Sequence, residues 1–273
     1  MKFKKIILAA ALLTAAVSLT ACSSSNSSSK KSEVDTIKDN GKLVVALSPD
    51  YPPFEYKTMV DGKDTIVGAD VDLANKIADK LGVKLELSPM SFDNILAAVS
   101  SGKADVAISA ISANPERKKT FDFSNGYYTP YNEIVIKKSD LSKYSSLADF
   151  KGKSLAGQTG STQETAIKDQ ITGSNLVSLT DAGDEITEVQ TGKIDGTVLE
   201  DMIAKSYVAA NPDLAVANVK IPVTEAEADM AVAMKKGSSE LKKKINAVIK
   251  DLKDSGEMEK IIEDNYTKSQ NAE

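Results

Sequence analysis

Between residues 43 and 199 the chain runs twice through the same alternation of short apolar strands and helices. In the first pass, residues 43–47 form a continuous apolar run, as expected for a strand buried on both faces. Ala74, Ile77, Ala78 and Leu81 then recur at i, i+3, i+4 and i+7, a helix that Gly82 stops. Val83, Leu85 and Leu87 alternate as a half-buried strand, residues 91–100 read as a helix leaving at Gly102, and residues 104–109 as another buried strand. In the second pass, residues 154–158, 176–179 and 194–199 read as strands, separated by helices over 162–170 and 184–190. A short echo marks the same step in both passes. Gly102-Lys103-Ala104-Asp105 and Gly192-Lys193-Ile194-Asp195 each end a helix at glycine and enter a buried strand. Such alternation produces mostly parallel sheets covered by helices, so two passes predict an α/β protein of two lobes.

Between the passes, Ser124-Asn125-Gly126-Tyr127-Tyr128-Thr129-Pro130 is rich in turn residues and leads into a strand over 133–137. After the second pass, Ile221-Pro222-Val223 leads to a strand near 230–233. Leu241, Ile245, Val248, Ile249 and Leu252 share one helix face, and Met258, Ile261, Ile262 and Tyr266 continue as a shorter helix. The chain is expected to cross back near Glu225. Lobe one then comprises 41–128 and is completed by 225–273, with lobe two over 129–224. Two crossings make a hinge, and ligands of open α/β sheets gather at the C-terminal strand ends, here a cleft between lobes.

The N-terminus has a separate logic. Lys2, Lys4 and Lys5 precede an apolar stretch from Ile6 to Leu19, too short for a bilayer span of ~20 residues but fitting a signal peptide over 1–21. Leu19-Thr20-Ala21-Cys22 resembles a bacterial lipobox, in which the cysteine is acylated and becomes the mature N-terminus. Each buried methylene contributes about 0.8 kcal/mol, so the two acyl chains of a diacylglyceryl group hold durably. Residues 23–32 are too polar to bury apolar surface, and the lipid-anchored tether is assigned to 22–40.

Composition removes several classes of function. The chain has no histidine, and its one cysteine, Cys22, stands at the anchor. A Ser-His-Asp triad, a catalytic thiol and the usual zinc site are thereby excluded, while carboxylate chemistry remains open. Loss of Lys2, Lys4 and Lys5 leaves 31 basic and 39 acidic residues, net −8, with no basic run longer than three residues. That argues against nucleic acid, whose phosphates need neutralising.

Five motifs follow one another behind the lipobox: Ser48-Pro49-Asp50-Tyr51-Pro52-Pro53-Phe54-Glu55, Gly68-Ala69-Asp70-Val71-Asp72-Leu73, Ser91-Phe92-Asp93-Asn94-Ile95, Pro115-Glu116-Arg117 and Phe121-Asp122-Phe123-Ser124. With them the chain resembles, from Lys42 to Tyr266, the polar-amino-acid family of bacterial substrate-binding proteins that feed ABC transporters. The resemblance implies a two-lobed periplasmic-binding-protein-like fold with an amino acid bound between the lobes. It assigns the α-carboxylate to Arg117, whose guanidinium suits a two-pronged contact, with strand-end backbone groups at Ala110 and Ser112 beside it. Asn114 departs from the small hydroxyl residue usual at its position. Ser161 and Thr162 open a helix whose free N–H groups favour a carboxylate and also need capping. Glu200, five residues after Asp195, matches the acid that pairs with the α-ammonium, and the adjacent Asp201 is the alternative.

Tyr51 and Phe92 match the aromatic pair that sandwiches the ligand side chain, which suits an amide or, through cation–π attraction, a guanidinium. Ser48 stands where some relatives place a carboxylate, and Thr159 where some have a basic residue. Asp50 and Glu55 lie near Tyr51, able to meet a cation or to face solvent. The implied ligand is arginine first, then glutamine or another polar amino acid. The resemblance further implies a monomer that is not an enzyme, needs no cofactor or metal, and partners the permease subunits of an ABC importer. Its place is the outer face of the cell membrane, held through Cys22, in a bacterium with one membrane. Two alternatives belong to other classes: a dehydratase-like enzyme on the same fold with Glu200 as its acid or base, and a surface adhesin.

Overall fold

The computed structural model describes residues 31–224 and 228–270, so the expected signal peptide, Cys22 and the crossing at Glu225 lie outside the described residues. Helix α1 (Glu33–Asn40) precedes strand β1 (Lys42–Leu47). A small antiparallel sheet follows, made of β2 (Asp50–Tyr51), β3 (Glu55–Val60) and β4 (Lys63–Val67). Then come α2 (Ala69–Leu81), β5 (Lys84–Pro89), α3 (Phe92–Ser101), β6 (Val106–Ala107), α4 (Pro115–Thr120) and β7 (Phe121–Phe123). The second lobe holds β8 (Asn132–Lys137), β9 (Ser154–Gln158), α5 (Thr162–Gln170) and β10 (Asn175–Leu179). It continues through α6 (Ala182–Thr191), β11 (Gly196–Glu200), α7 (Asp201–Ala210) and β12 (Leu214–Val216). Strand β13 (Ala233–Lys235) and helices α8 (Ser239–Asp254) and α9 (Glu257–Ser269) end the chain.

Two five-stranded sheets share one plan, ordered β5-β1-β6-β13-β7 and β10-β9-β11-β8-β12. In each, three parallel strands are followed by one antiparallel strand, β13 or β8. Strand β13 lies after the second sheet in sequence yet pairs in the first, so the chain does return to its first lobe. Leu43, Val45, Ala46 and Leu47 are fully buried in β1, as a parallel strand covered on both faces requires.

The four-residue echo has a structural cause. Gly102 and Gly192 end α3 and α6 in the left-handed conformation, with φ of 78° and 76°. Three residues on, the Asp105 carboxylate accepts from Val44 N at 2.8 Å and the Asp195 carboxylate from Ser154 N at 2.9 Å. Each aspartate thus fastens a helix exit to the adjacent parallel strand of its own sheet, β1 or β9.

Several expected spans are redrawn. Residues 33–40, assigned to the tether, form α1 instead, because Ser32 caps the helix and Val34 and Ile37 are buried in the core. Only Val106–Ala107 of the expected 104–109 strand pairs, since the chain leaves the sheet at Ser109 and Ala110 takes a φ of 46°. Near 230–233, Met230 instead bridges to Ser112 and Tyr128, and the strand proper begins at Ala233. The two connections between lobes run side by side, with Tyr127 N donating to Met230 O at 2.9 Å and Met230 N to Tyr128 O at 2.8 Å. Gly126 permits this approach, because a Cβ there would stand 2.4 Å from the Asp229 side chain.

Candidate functional site

Strand ends of the two sheets meet across a cleft lined from both lobes. The first lobe lines it with Tyr51 from β2, Phe92 at the start of α3, Ala110 and Ser112 beyond β6, and Arg117 on α4. The second lobe contributes Ser161 and Thr162 at the start of α5, and Glu200 at the end of β11. Eight of the eleven ligand-site residues expected from sequence therefore share this cleft.

Three do not line it. Ser48 is buried behind it, its N–H donating to Ser109 Oγ at 3.0 Å. Asn114 caps α4 instead, with Oδ1 accepting from Arg117 N at 2.8 Å. Thr159 turns its hydroxyl to the Leu179 carbonyl at 3.1 Å, away from the neighbouring Gln158 that does face the cleft. The lining also includes Asp50 and Glu55, whose orientation was open in the sequence, and Ser109, Gln158 and Gln163, which sequence reasoning missed. Position was the available signal for those three: Ser109 adjoins Ala110, and both glutamines flank the Ser161-Thr162 helix start.

Arg117 is held from below. Its Nη1 donates to Ser112 O at 3.0 Å, and its Cζ lies 5.6 Å from the centre of the Phe92 ring, within cation–π range. Burial lowers its pKa to about 10. On the far wall Glu200 is 3% exposed and pushed up to about 8 by burial, with Asp201 raising it further. The Tyr51 hydroxyl, Arg117 and the Gln163 amide act the other way. Asp201 is turned out of the cleft and engaged by the Tyr128 hydroxyl at 2.5 Å.

The floor is acidic as well. Glu55, 1% exposed, accepts from Ser109 Oγ at 2.7 Å and is pushed well above the carboxylate range by burial and then by Asp70. Asp70 itself accepts from Ala110 N at 2.7 Å and from the Tyr127 hydroxyl at 3.0 Å, and burial raises it to about 6. It therefore secures the strained backbone at Ala110, whose φ of 46° few residues other than glycine adopt. Asp50 also rises to about 6, chiefly through burial. Asp50, Glu55 and Glu200 thus face one cation, Arg117, among the described lining residues. A cation entering this space would favour the ionised form of each acid.

Residues 43–268 match the model of the bacterial extracellular solute-binding proteins, family 3. The chain belongs to that family. It is similar to the arginine-binding extracellular protein ArtP of Bacillus subtilis, at 39% identity over 81% of this chain and 84% of that one. Among solved structures it resembles the amino acid ABC transporter substrate-binding protein AbpA of Streptococcus pneumoniae bound to L-arginine. There the identity is 51% and the TM-score 0.84, covering 86% of this chain and 98% of that one. The ancestral amino acid-binding protein AncCDT-1, a precursor of cyclohexadienyl dehydratase, shares 32% identity at a TM-score of 0.78, over 86% of this chain and 100% of its own.

Proposed function

We propose that this chain captures L-arginine outside the cell and delivers it to the membrane subunits of an ABC importer, with glutamine or another polar amino acid next in preference. The observation that carries this reading is the opposition of Arg117 and Glu200 on the two walls of one cleft, matched to the carboxylate and ammonium of an amino acid. The buried acid Glu55 at the floor favours a basic side chain, and the likeness to ArtP and to arginine-bound AbpA points the same way. Glu55 Oε2 and Asp50 Oδ1 both have no hydrogen-bond partner, but the other carboxylate oxygen of Asp50 is already engaged by Gln158 and Ala182, which leaves Glu55 the acid better suited to a guanidinium.

Capture without turnover is part of the proposal. Glu200 is the one candidate acid or base that the sequence offered for a dehydratase, and ammonium pairing gives it a sufficient role. We further read Cys22 as acylated after cleavage behind Ala21, holding a monomer on the outer face of the membrane of a single-membrane bacterium. The test is a thermal-shift screen of the soluble region against all amino acids. A ligand stabilises by RT ln(1 + [L]/Kd), so arginine is expected to give the largest shift. A screen in which no amino acid raises the midpoint would refute the reading.

A further inference from the structure

Asp50 is joined to the second lobe at three places. Its Oδ2 accepts from Gln158 Nε2 at the end of β9, at 2.7 Å, and from the N–H of Ala182, the first residue of α6, at 2.8 Å. Its backbone carbonyl accepts from the hydroxyl of Tyr207 on α7 at 2.8 Å. Three separate elements of the second lobe thus converge on one residue of the first, and Asp50 is only 9% exposed there. The N–H of Ala182 belongs to the first turn of its helix, where it has no intrahelical partner and the helix dipole favours a negative acceptor. Gln158 Nε2 also donates to Thr180 O at 3.2 Å, which fixes the amide for its contact with Asp50.

We propose that Asp50 is a positioning residue that clasps the lobes together, setting how long any ligand is retained without selecting which ligand is chosen. This rests on the amino-acid reading of the cleft. The contacts join protein to protein, so they form when the lobes close and must break before they part. Arg117 also spans the lobes but is assigned to the ligand, whereas the hydrogen bonds of Asp50 need no ligand atom. A clasp of this kind acts on dissociation, because encounter with the open cleft precedes its formation.

Stopped-flow measurement of association and dissociation for arginine and for one neutral amino acid that binds tests the proposal in the parent, Asp50→Ala, Asp50→Asn and Tyr207→Phe. In Asp50→Ala dissociation should quicken roughly tenfold or more for both ligands alike, with association nearly unchanged, as loss of two hydrogen bonds implies. Asp50→Asn keeps an acceptor oxygen and should recover most of that retention. Tyr207→Phe leaves the carboxylate untouched and removes one contact from the other side, so it should give a smaller loss, also common to both ligands. It keeps the question open to test even if Asp50→Ala folds poorly. Unchanged dissociation in both Asp50→Ala and Tyr207→Phe would overturn the clasp. So would a loss in Asp50→Asn confined to arginine, which would make Asp50 a charge partner of the ligand side chain. A parent protein that binds no amino acid overturns the amino-acid reading and the clasp together, an outcome distinct from the other two.

Discussion

Arg117 in the first lobe donates from Nη2 to the carbonyl of Gly160 in the second at 3.1 Å. Its other terminal nitrogen, Nη1, is held by Ser112 O within its own lobe, so one planar fork joins the two walls. The fork geometry is specific to arginine, since a lysine ammonium has no two coplanar donors. Replacing Arg117 with alanine should weaken every amino acid by ~2–5 kcal/mol, a factor of roughly 30 to several thousand. Arg117→Lys should fall between that variant and the parent. Calorimetry with arginine, glutamine and histidine checks both, and an effect on ranking alone would contradict the carboxylate assignment.

Phe92 has two neighbours to serve. Expected from sequence to stack on the ligand side chain, it also lies beside the Arg117 guanidinium. Phe92→Leu keeps much of the buried area but removes the flat face. The same calorimetric series should therefore show a modest loss common to all ligands and a change in their order. If the order were preserved, Phe92 would act through Arg117 alone.

Glu185 sits on α6 away from the cleft lining, fully buried, with the Thr197 hydroxyl donating to its Oε2 and no partner for Oε1. Burial raises its pKa from 4.5 to about 8. The unfolded chain loses this proton near 4.5 and the folded chain near 8, so between those values the folded state binds more protons. Stability then falls as pH rises through that window, and the benefit is complete only below 4.5. The thermal midpoint should drop between pH 5 and 8, and Glu185→Gln should flatten the drop by on the order of a few kcal/mol, at about 1.4 kcal/mol per pKa unit. Asp50, Glu55 and Glu200 shift in the same direction and should leave a residual slope. An identical slope in Glu185→Gln and parent would refute the assignment.

Cys22→Ala should release the protein from the cell surface, or leave it unprocessed, because the acyl chains are the proposed hold on the bilayer. Fractionation of cells with detergent-free washing distinguishes the cases. A variant that was processed and still sedimented with membranes would eliminate the lipid anchor.

Periodicity and local caps determined much of the fold directly. Strand β9 and helix α5 coincide with the expected 154–158 and 162–170, because apolar spacing and the Ser161 cap act within a few residues. The paired Gly-Lys-x-Asp steps were visible too, although their purpose, an aspartate clamped to the adjacent strand, needed the sheet to be assembled. Other elements lacked a local signal. Helix α1 has two apolar side chains buried in the core, Val34 and Ile37, within a polar segment, and packing against the body distinguishes it from a tether.

The site divided along the same line. The family resemblance carried by the motifs pointed to Arg117, Glu200, Tyr51 and Phe92, residues whose character suits a charge or a flat face. Orientation at the strand ends was beyond it. Gln158, the last residue of β9, reaches the cleft, while Thr159, the first beyond it, turns back to Leu179 O, a difference set only once β9 and β10 are paired. Asp50 is the plainest case: from sequence it was an acid that could meet a cation or solvent. Its partners, Gln158, Ala182 and Tyr207, lie more than a hundred residues away, and only the meeting of two lobes brings them into hydrogen-bond range.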